Sequence, residues 1–379
     1  MESHDGRAGD AEKHPLTRRT FITKGSIAAG GASLTLSALL AACGSSSSGS
    51  GTTAAKTGGG GGGSLGAGKS LAVVSAQKAG DHGPVDDLVA GMNRSGQAFG
   101  IKTRFIEATD PSSYTTTLTN LCEAKTSIVS VIFPDFVDSV KAVAPRFPDT
   151  KFIFLYADPY RPTIPNVHTV GYGTNQAAYL AGVLIARVTQ KDTVGFITGL
   201  AIPELNSDYH AFVDGVHSVN PQLNVKGVAA GSWEDPAKGR LVATAMIGQG
   251  VDSILALAGG TSAGVMQAAQ QQGAHLIYDT TPTTPGTPGE PSVMGTAVFH
   301  YGLSLYENVQ KALQPGWTGG HTIEGVKENV AGLEISPHFL KIGDPAVVKR
   351  IKAAVPLLDR TRAGIASGQI VVAHNTASF

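Results

Sequence analysis

At 379 residues the chain is long enough for about two domains with substantial cores. Charged residues make up only 15% and Lys+Arg balances Asp+Glu at 29 each, so there is no basic excess to draw in a nucleic-acid backbone. Two cysteines, Cys43 and Cys122, are too few for a disulfide scaffold or a Cys-based zinc site, and 48 glycines without a three-residue period exclude collagen.

The first feature along the chain is an address. Arg18 and Arg19 precede Phe21, Ile22 and Lys24, and an apolar Ala/Gly/Leu stretch runs over 25–42, the order of a twin-arginine export signal. A stretch of that length can just span a bilayer. Its end points the other way: Leu40, Ala41, Ala42 and Cys43 form a lipoprotein signal-peptidase box, so residues 1–42 are expected to be removed and Cys43 to carry the lipid. Residues 44–69 are nearly all Gly, Ser, Thr and Ala and cannot bury apolar surface, which makes 43–69 a flexible tether reaching roughly 28 Å. Cys122 is then a buried thiol without a partner.

The folded body is expected from Ser70. Residues 71–76 form an apolar strand; Pro84, with Asp86 and Asp87 in its first turn, opens a helix carrying Leu88, Met92 and Phe99 on one face. Strands over 101–107, 127–133, 151–156 and 167–172, with helices starting near Ser112 and Pro134, complete a parallel α/β lobe. A second such run follows, with helices over 175–190, 207–219, 236–248 and 262–272 and strands over 193–198, 223–229, 252–258 and 274–278. The Pro/Thr/Gly stretch 280–291 interrupts it. A strand over 293–299, a helix over 303–313 and a last helix from Pro345, kinked at Pro356, close the chain. The expected division is lobe 1 over 70–173, completed by about 292–379, and lobe 2 over 174–291, with crossings near 171–174, 280–291 and 325–334. Two doubly wound lobes put their ligand loops at the carboxyl ends of their strands, so a small molecule is expected in the cleft between them.

Two motifs suggest catalysis or nucleotide binding. Residues 63–70 fit G-x-x-x-x-G-K-S, but a polyglycine run precedes them and a strand follows, the reverse of the context a phosphate loop needs. Gly260, Ser262 and Gly264 fit the G-x-S-x-G nucleophile elbow between a strand and a helix, with Asp279 or Asp344 and His374 as triad partners and His82-Gly83 as an oxyanion loop. That loop should follow the third strand of a hydrolase sheet, whereas His82 follows the first strand here. A glycine turn that lets backbone N–H groups approach a ligand is the favoured reading. His210 and His217, seven apart on one helix, do not make a metal site.

The runs Ala177-Ala178-Tyr179-Leu180-Ala181-Gly182, Val194-Gly195-Phe196, Gly231-Ser232-Trp233-Glu234-Asp235-Pro236 and Ala258-Gly259-Gly260-Thr261 resemble the basic membrane protein family of ABC-transporter solute-binding lipoproteins, the purine nucleoside receptor type. The resemblance covers about 70–372. It implies a type I periplasmic-binding fold with three crossings, no catalysis and no cofactor. It further implies a lipid anchor on the extracytoplasmic face of the cell membrane, an ABC permease as partner, and a nucleoside or related heterocycle as ligand; a monomer is expected. Carried over residue by residue, it puts the stacking aromatic at Trp233, the glycine turn at Gly259 and carboxylates at Asp158 and Asp279. Asp81 and His82 fall in the first loop, and Phe299 or His300 stands where the family has a lysine. An exported serine esterase using Ser262 and a ligand-sensing signalling receptor of the same fold are the rival readings.

Overall fold

The computed structural model describes residues 65–80, 83–280 and 283–379; the signal segment, Cys43, most of the tether, and Asp81 and His82 lie outside the described residues. Buried apolar strands alternate with half-buried helices. The first lobe runs β1 (Ser70–Ser75), α1 (Pro84–Phe99), β2 (Lys102–Glu107), α2 (Tyr114–Glu123), β3 (Ile128–Ile132), α3 (Val137–Val143), β4 (Lys151–Leu155) and β5 (Val167–Tyr172). The chain then crosses and runs α4 (Thr174–Val188), β6 (Thr193–Thr198), α5 (Pro203–Val219), β7 (Asn224–Ala229), α6 (Pro236–Gly248), β8 (Ser253–Leu257), α7 (Ser262–Gln272), β9 (His275–Thr280) and β10 (Val293–Phe299). It ends with α8 (Tyr301–Ala312), β11 (Gly320–Glu324), β12 (Ala331–Ile335), α9 (Phe339–Ile342) and α10 (Pro345–Ser367).

The two sheets repeat one strand order. The first is β2-β1-β3-β4-β5-β11 and the second β7-β6-β8-β9-β10-β12; every pairing is parallel except β10 with β12. This is the doubly wound, two-lobed α/β fold that the sequence predicts. The lobe boundary differs from the expected one, because β10 and β12 belong to the second sheet. The second crossing is therefore the step from Phe299 through His300 into α8, not the stretch 280–291, which leaves and returns to the second lobe. Between Val293 and Phe299 every residue is buried, so this strand needs a covered central position, and the sheet of β9 supplies it.

Helices meet at glycines in both lobes. In α1 and α8, a side chain at Gly91 would collide with the backbone of Gly302; in α4 and α5, one at Gly215 would collide with the carbonyl of Tyr179. Backbone contact there leaves no room for a methyl group.

A buried polar chain joins the three crossings. Tyr172 Oη donates to Ser304 Oγ (3.0 Å), which donates to Glu324 Oε2 (2.5 Å), while Asn308 Nδ2 donates to Glu324 Oε1 (2.9 Å) and Lys311 Nζ lies 3.6 Å from it. Glu324 is 2% exposed, so its charge is held by these donors rather than by water.

After α10 the chain lies across the second lobe. Asn175 and Asn206 donate to the carbonyls of Ala373 and Thr376 (both 3.1 Å), and Phe379 stacks on Tyr209 (4.2 Å) and meets Phe196 edge-on over Gly227 of β7. No helix among the described residues is long and apolar enough to cross a membrane.

Candidate ligand cleft

The carboxyl ends of the strands carry the residues that bound the cleft expected between the lobes. From the first lobe β3, β4 and β5 deliver Phe133, Tyr156 and Tyr172, and the second crossing adds Phe299 and Tyr301. Tyr156 stacks on Tyr172 at 5.7 Å; Tyr301 stands edge-on to Tyr172 (5.1 Å) and Tyr156 (6.3 Å), and Phe133 edge-on to Tyr156 (6.1 Å). Phe299 lies 6.5 Å from Tyr301. This aromatic floor is continuous with the hinge chain through Tyr172.

The second lobe supplies carboxylates and a ring. Trp233, in the loop after β7, lies over Gly199, where any side chain would strike its six-membered ring. Thr261 fixes that loop: its N–H donates to Trp233 O (3.0 Å), its Oγ1 donates to Ser232 O (2.9 Å), and it accepts from Asp235 N (2.9 Å). Gly259, beside the ring, has φ 55°, a left-handed conformation that favours glycine, and its N–H donates to Asp279 Oδ2 (3.1 Å). Burial pushes the Asp279 carboxyl up to about 7 against the pull of that N–H. Trp233, Gly259 and Asp279 thus form one unit.

Asp208 of α5 is the residue that sequence reading misses. It is 3% exposed, accepts from Thr174 Oγ1 (2.8 Å), and burial pushes its carboxyl up to about 7, with the Glu204 charge adding to the rise. The charges of Asp208 and Glu204 act on Tyr156, and those of Asp279 and Asp208 on Tyr301, so both carboxylates face the tyrosine floor across the cleft. Burial dominates the rise of each tyrosine, so all three hydroxyls remain protonated donors. Pro203 at the first position of α5 with Glu204 beside it, the same signature that locates α1 at Pro84, marks where α5 begins but does not single out Asp208.

Other expected site residues lie outside this unit, although Asp158, two residues after Tyr156, also places its charge on that tyrosine. Asp158 is engaged by Arg161 at 2.6 Å and packs against Gly171. His300 turns to Glu334 (3.4 Å) at the edge of a groove between α1 and α8. Ser262 is fully buried and its Oγ accepts from Ala258 N (3.1 Å), which locks the turn before α7. Gly66 N–H donates to Phe99 O and the chain continues into β1, so the glycine-lysine motif feeds a strand. His210 and His217 bond the carbonyls of Ala377 and Leu223, and no group of three potential metal ligands occurs among the described residues.

Comparison with known proteins follows the same lines. A purine-binding protein of Brucella abortus is 27% identical over 272 residues, 71% of this chain and 72% of that one. The nucleoside-binding protein BmpA of an ABC transporter in Lactococcus lactis is 30% identical over 166 residues, 44% of this chain and 47% of its own length. An ABC-transporter solute-binding protein of Aeropyrum pernix superposes with a TM-score of 0.65 at 19% identity, covering 80% of this chain and 94% of that one, a likeness of fold. The family model described as PnrA-like ABC transporter substrate-binding protein matches residues 69–353, and the chain belongs to that family.

Proposed function

We propose that the protein is a lipid-anchored receptor on the extracytoplasmic face of the membrane, which captures a purine nucleoside or similar flat heterocycle and passes it to an ABC permease. One observation carries the ligand class: the Trp233 ring is seated over Gly199 beside the Asp279 carboxylate, so a flat apolar face adjoins an acceptor for ring N–H or sugar O–H groups. The tyrosine floor opposite offers a second flat surface and two O–H donors, those of Tyr156 and Tyr301, since the Tyr172 hydroxyl donates to Ser304. The names of the Brucella and Lactococcus relatives support the same class, and the Leu40–Cys43 box supports the anchor. Ser262, sealed from solvent, serves the turn rather than nucleophilic attack.

The test is a thermal-shift screen of adenosine, guanosine and inosine against ribose and glucose, since a ligand that binds only the folded state raises the melting temperature. Trp233→Ala should weaken the best binder by about 1 to 3 kcal/mol, roughly 5-fold to 150-fold. Indole fluorescence assigns the contact. Trp317, the other tryptophan, lies beside Lys151 and His168 at the amino ends of the first lobe's strands, away from the cleft. A binder whose affinity is unchanged in Trp233→Ala would remove the stacking role; no stabilisation by any nucleoside would remove the ligand class. Mass spectrometry of the membrane fraction checks the anchor, with diacylated Cys43 as the expected first residue.

A further inference from the structure

The pole of the second lobe opposite the cleft, where β8 and β9 begin and α10 starts, holds a cavity of about 380 Å³. Lys191, His275 and Arg350 line it together with Asp252. Two of the lining residues carry an unmatched polar atom: His275 Nδ1 and Arg350 Nε are both buried without a hydrogen-bond partner. A guanidinium N–H left dry is costly and rare in a native fold. The acids nearby do not answer it. Asp252 accepts from Thr189 Oγ1 (2.5 Å) and Gln190 N (2.9 Å), and Asp344 accepts from Ala346 N (2.7 Å) and Val347 N (3.1 Å), capping α10. Among the described residues neither Lys191 nor Arg350 has a carboxylate within ion-pair distance.

We propose that this cavity is a second binding site, for a phosphoryl group or similar tetrahedral oxyanion, in which Arg350 Nε–H and His275 Nδ1–H donate to the anion and Lys191 balances its charge at the rim. A tetrahedral anion offers several acceptor oxygens at once, and arginine is suited to such an oxygen pair. Burial holds the His275 ring below its ordinary value and Arg350 pushes the same way, against Asp252 and Asp344. The ring is therefore neutral at pH 7 and its Nδ1–H tautomer can donate. A bound anion favours the protonated ring, so the ring's pKa should rise on binding and affinity should increase as pH falls. The site lies away from the cleft and does not depend on the nucleoside reading. Its phosphoryl group could be inorganic phosphate or the headgroup of an anionic phospholipid.

The test follows the His275 ring resonances of the whole chain by NMR during titration with inorganic phosphate, then with vesicles of phosphatidylglycerol in phosphatidylcholine, with chloride as control. A saturable shift, a raised ring pKa, and weakening by about tenfold or more in Arg350→Gln are expected. Arg350→Lys, which keeps the charge but loses the Nε donor, should weaken binding as well, and Lys191→Gln less than either. A response to free phosphate assigns a soluble anion; a response to vesicles alone assigns the lipid headgroup. The proposal is overturned if neither probe gives a saturable shift, if chloride acts equally, or if Arg350→Gln responds with the wild-type midpoint. The ring-pKa measurement on the unaltered protein tests the site even if a variant fails to fold.

Discussion

In each lobe, the helix that follows the first strand of its sheet places an aspartate against the start of a crossing helix. In the first lobe Asp87 of α1 accepts from Gly302 N at 2.8 Å, at the beginning of α8; in the second, Asp208 of α5 accepts from Thr174 Oγ1 at 2.8 Å, at the beginning of α4. The local bonding is alike and the surroundings are not. Asp87 borders an open groove, whereas Asp208 is sealed beneath the tyrosines of the opposite lobe. What a carboxylate can do is thus decided by what covers it: the first is a helix cap, the second a carboxyl whose charge is kept at a cost.

The likeness between the lobes can be broken most sharply at the helix crossings. Gly215→Ala and Gly91→Ala each push a methyl group into a backbone, and each should cost about 3 kcal/mol or more, read as a lowered denaturation midpoint. If one is tolerated and the other not, the two crossings are not equivalent.

The contrast between the aspartates predicts a pH effect of a few kcal/mol. Asp208 has a folded value of about 7 against an ordinary 3.8, so the native state holds more protons than the unfolded one between these values. Its contribution to stability is fully present below pH 4 and is lost as pH rises toward 7, and Asp279 acts in the same sense. Asp208→Asn, which still accepts from Thr174, should raise the melting temperature of the ligand-free protein at pH 8 and leave it nearly unchanged at pH 4. An equal effect at both pH values would mean that Asp208 is not held as a buried charge.

A smaller loss is expected where the carboxylate is only a cap. Asp87→Ala should cost about 1 kcal/mol by freeing Gly302 N–H, with no change in affinity for whichever ligand the thermal-shift screen finds. Ser304→Ala should cost about 1 to 3 kcal/mol, because Asn308 and Lys311 hold only Glu324 Oε1 while the buried Oε2 and the Tyr172 hydroxyl lose their partner. It should also alter ligand affinity, since Tyr172 of the cleft floor loses its partner at the hinge.

Much of this was legible in the sequence because strands, helices and glycine turns carry local signals. Trp233, Gly259 and Asp279 could be named from the resemblance to the family, and Pro236 with the strand before it puts Trp233 in a loop at a strand's carboxyl end. The second crossing was not legible: Phe299, His300 and Tyr301 pass from strand to helix in one step, with no glycine or proline to mark it, while the Pro/Thr/Gly stretch 280–291 looked like a boundary and is an excursion within one lobe. Asp208 was hidden because its neighbours on the tyrosine floor are more than thirty residues away in sequence, and burial between lobes leaves no trace in either alone. Tyr156 and Tyr301 were hidden in the same way; each reads as ordinary core.

The segment that ends in Phe379 has a consequence for the edge of the second sheet. β7 is an edge strand, largely exposed, with Val228 bared to solvent. Such edges recruit other chains through unpaired backbone groups. Gly227 contributes no side chain to shield its neighbours, and the ring of Phe379 fills that vacancy against Phe196 and Tyr209. The segment therefore covers the face of the edge strand rather than its backbone: with 375–379 removed, an apolar notch lined by Phe196 and Tyr209 would open beside that edge.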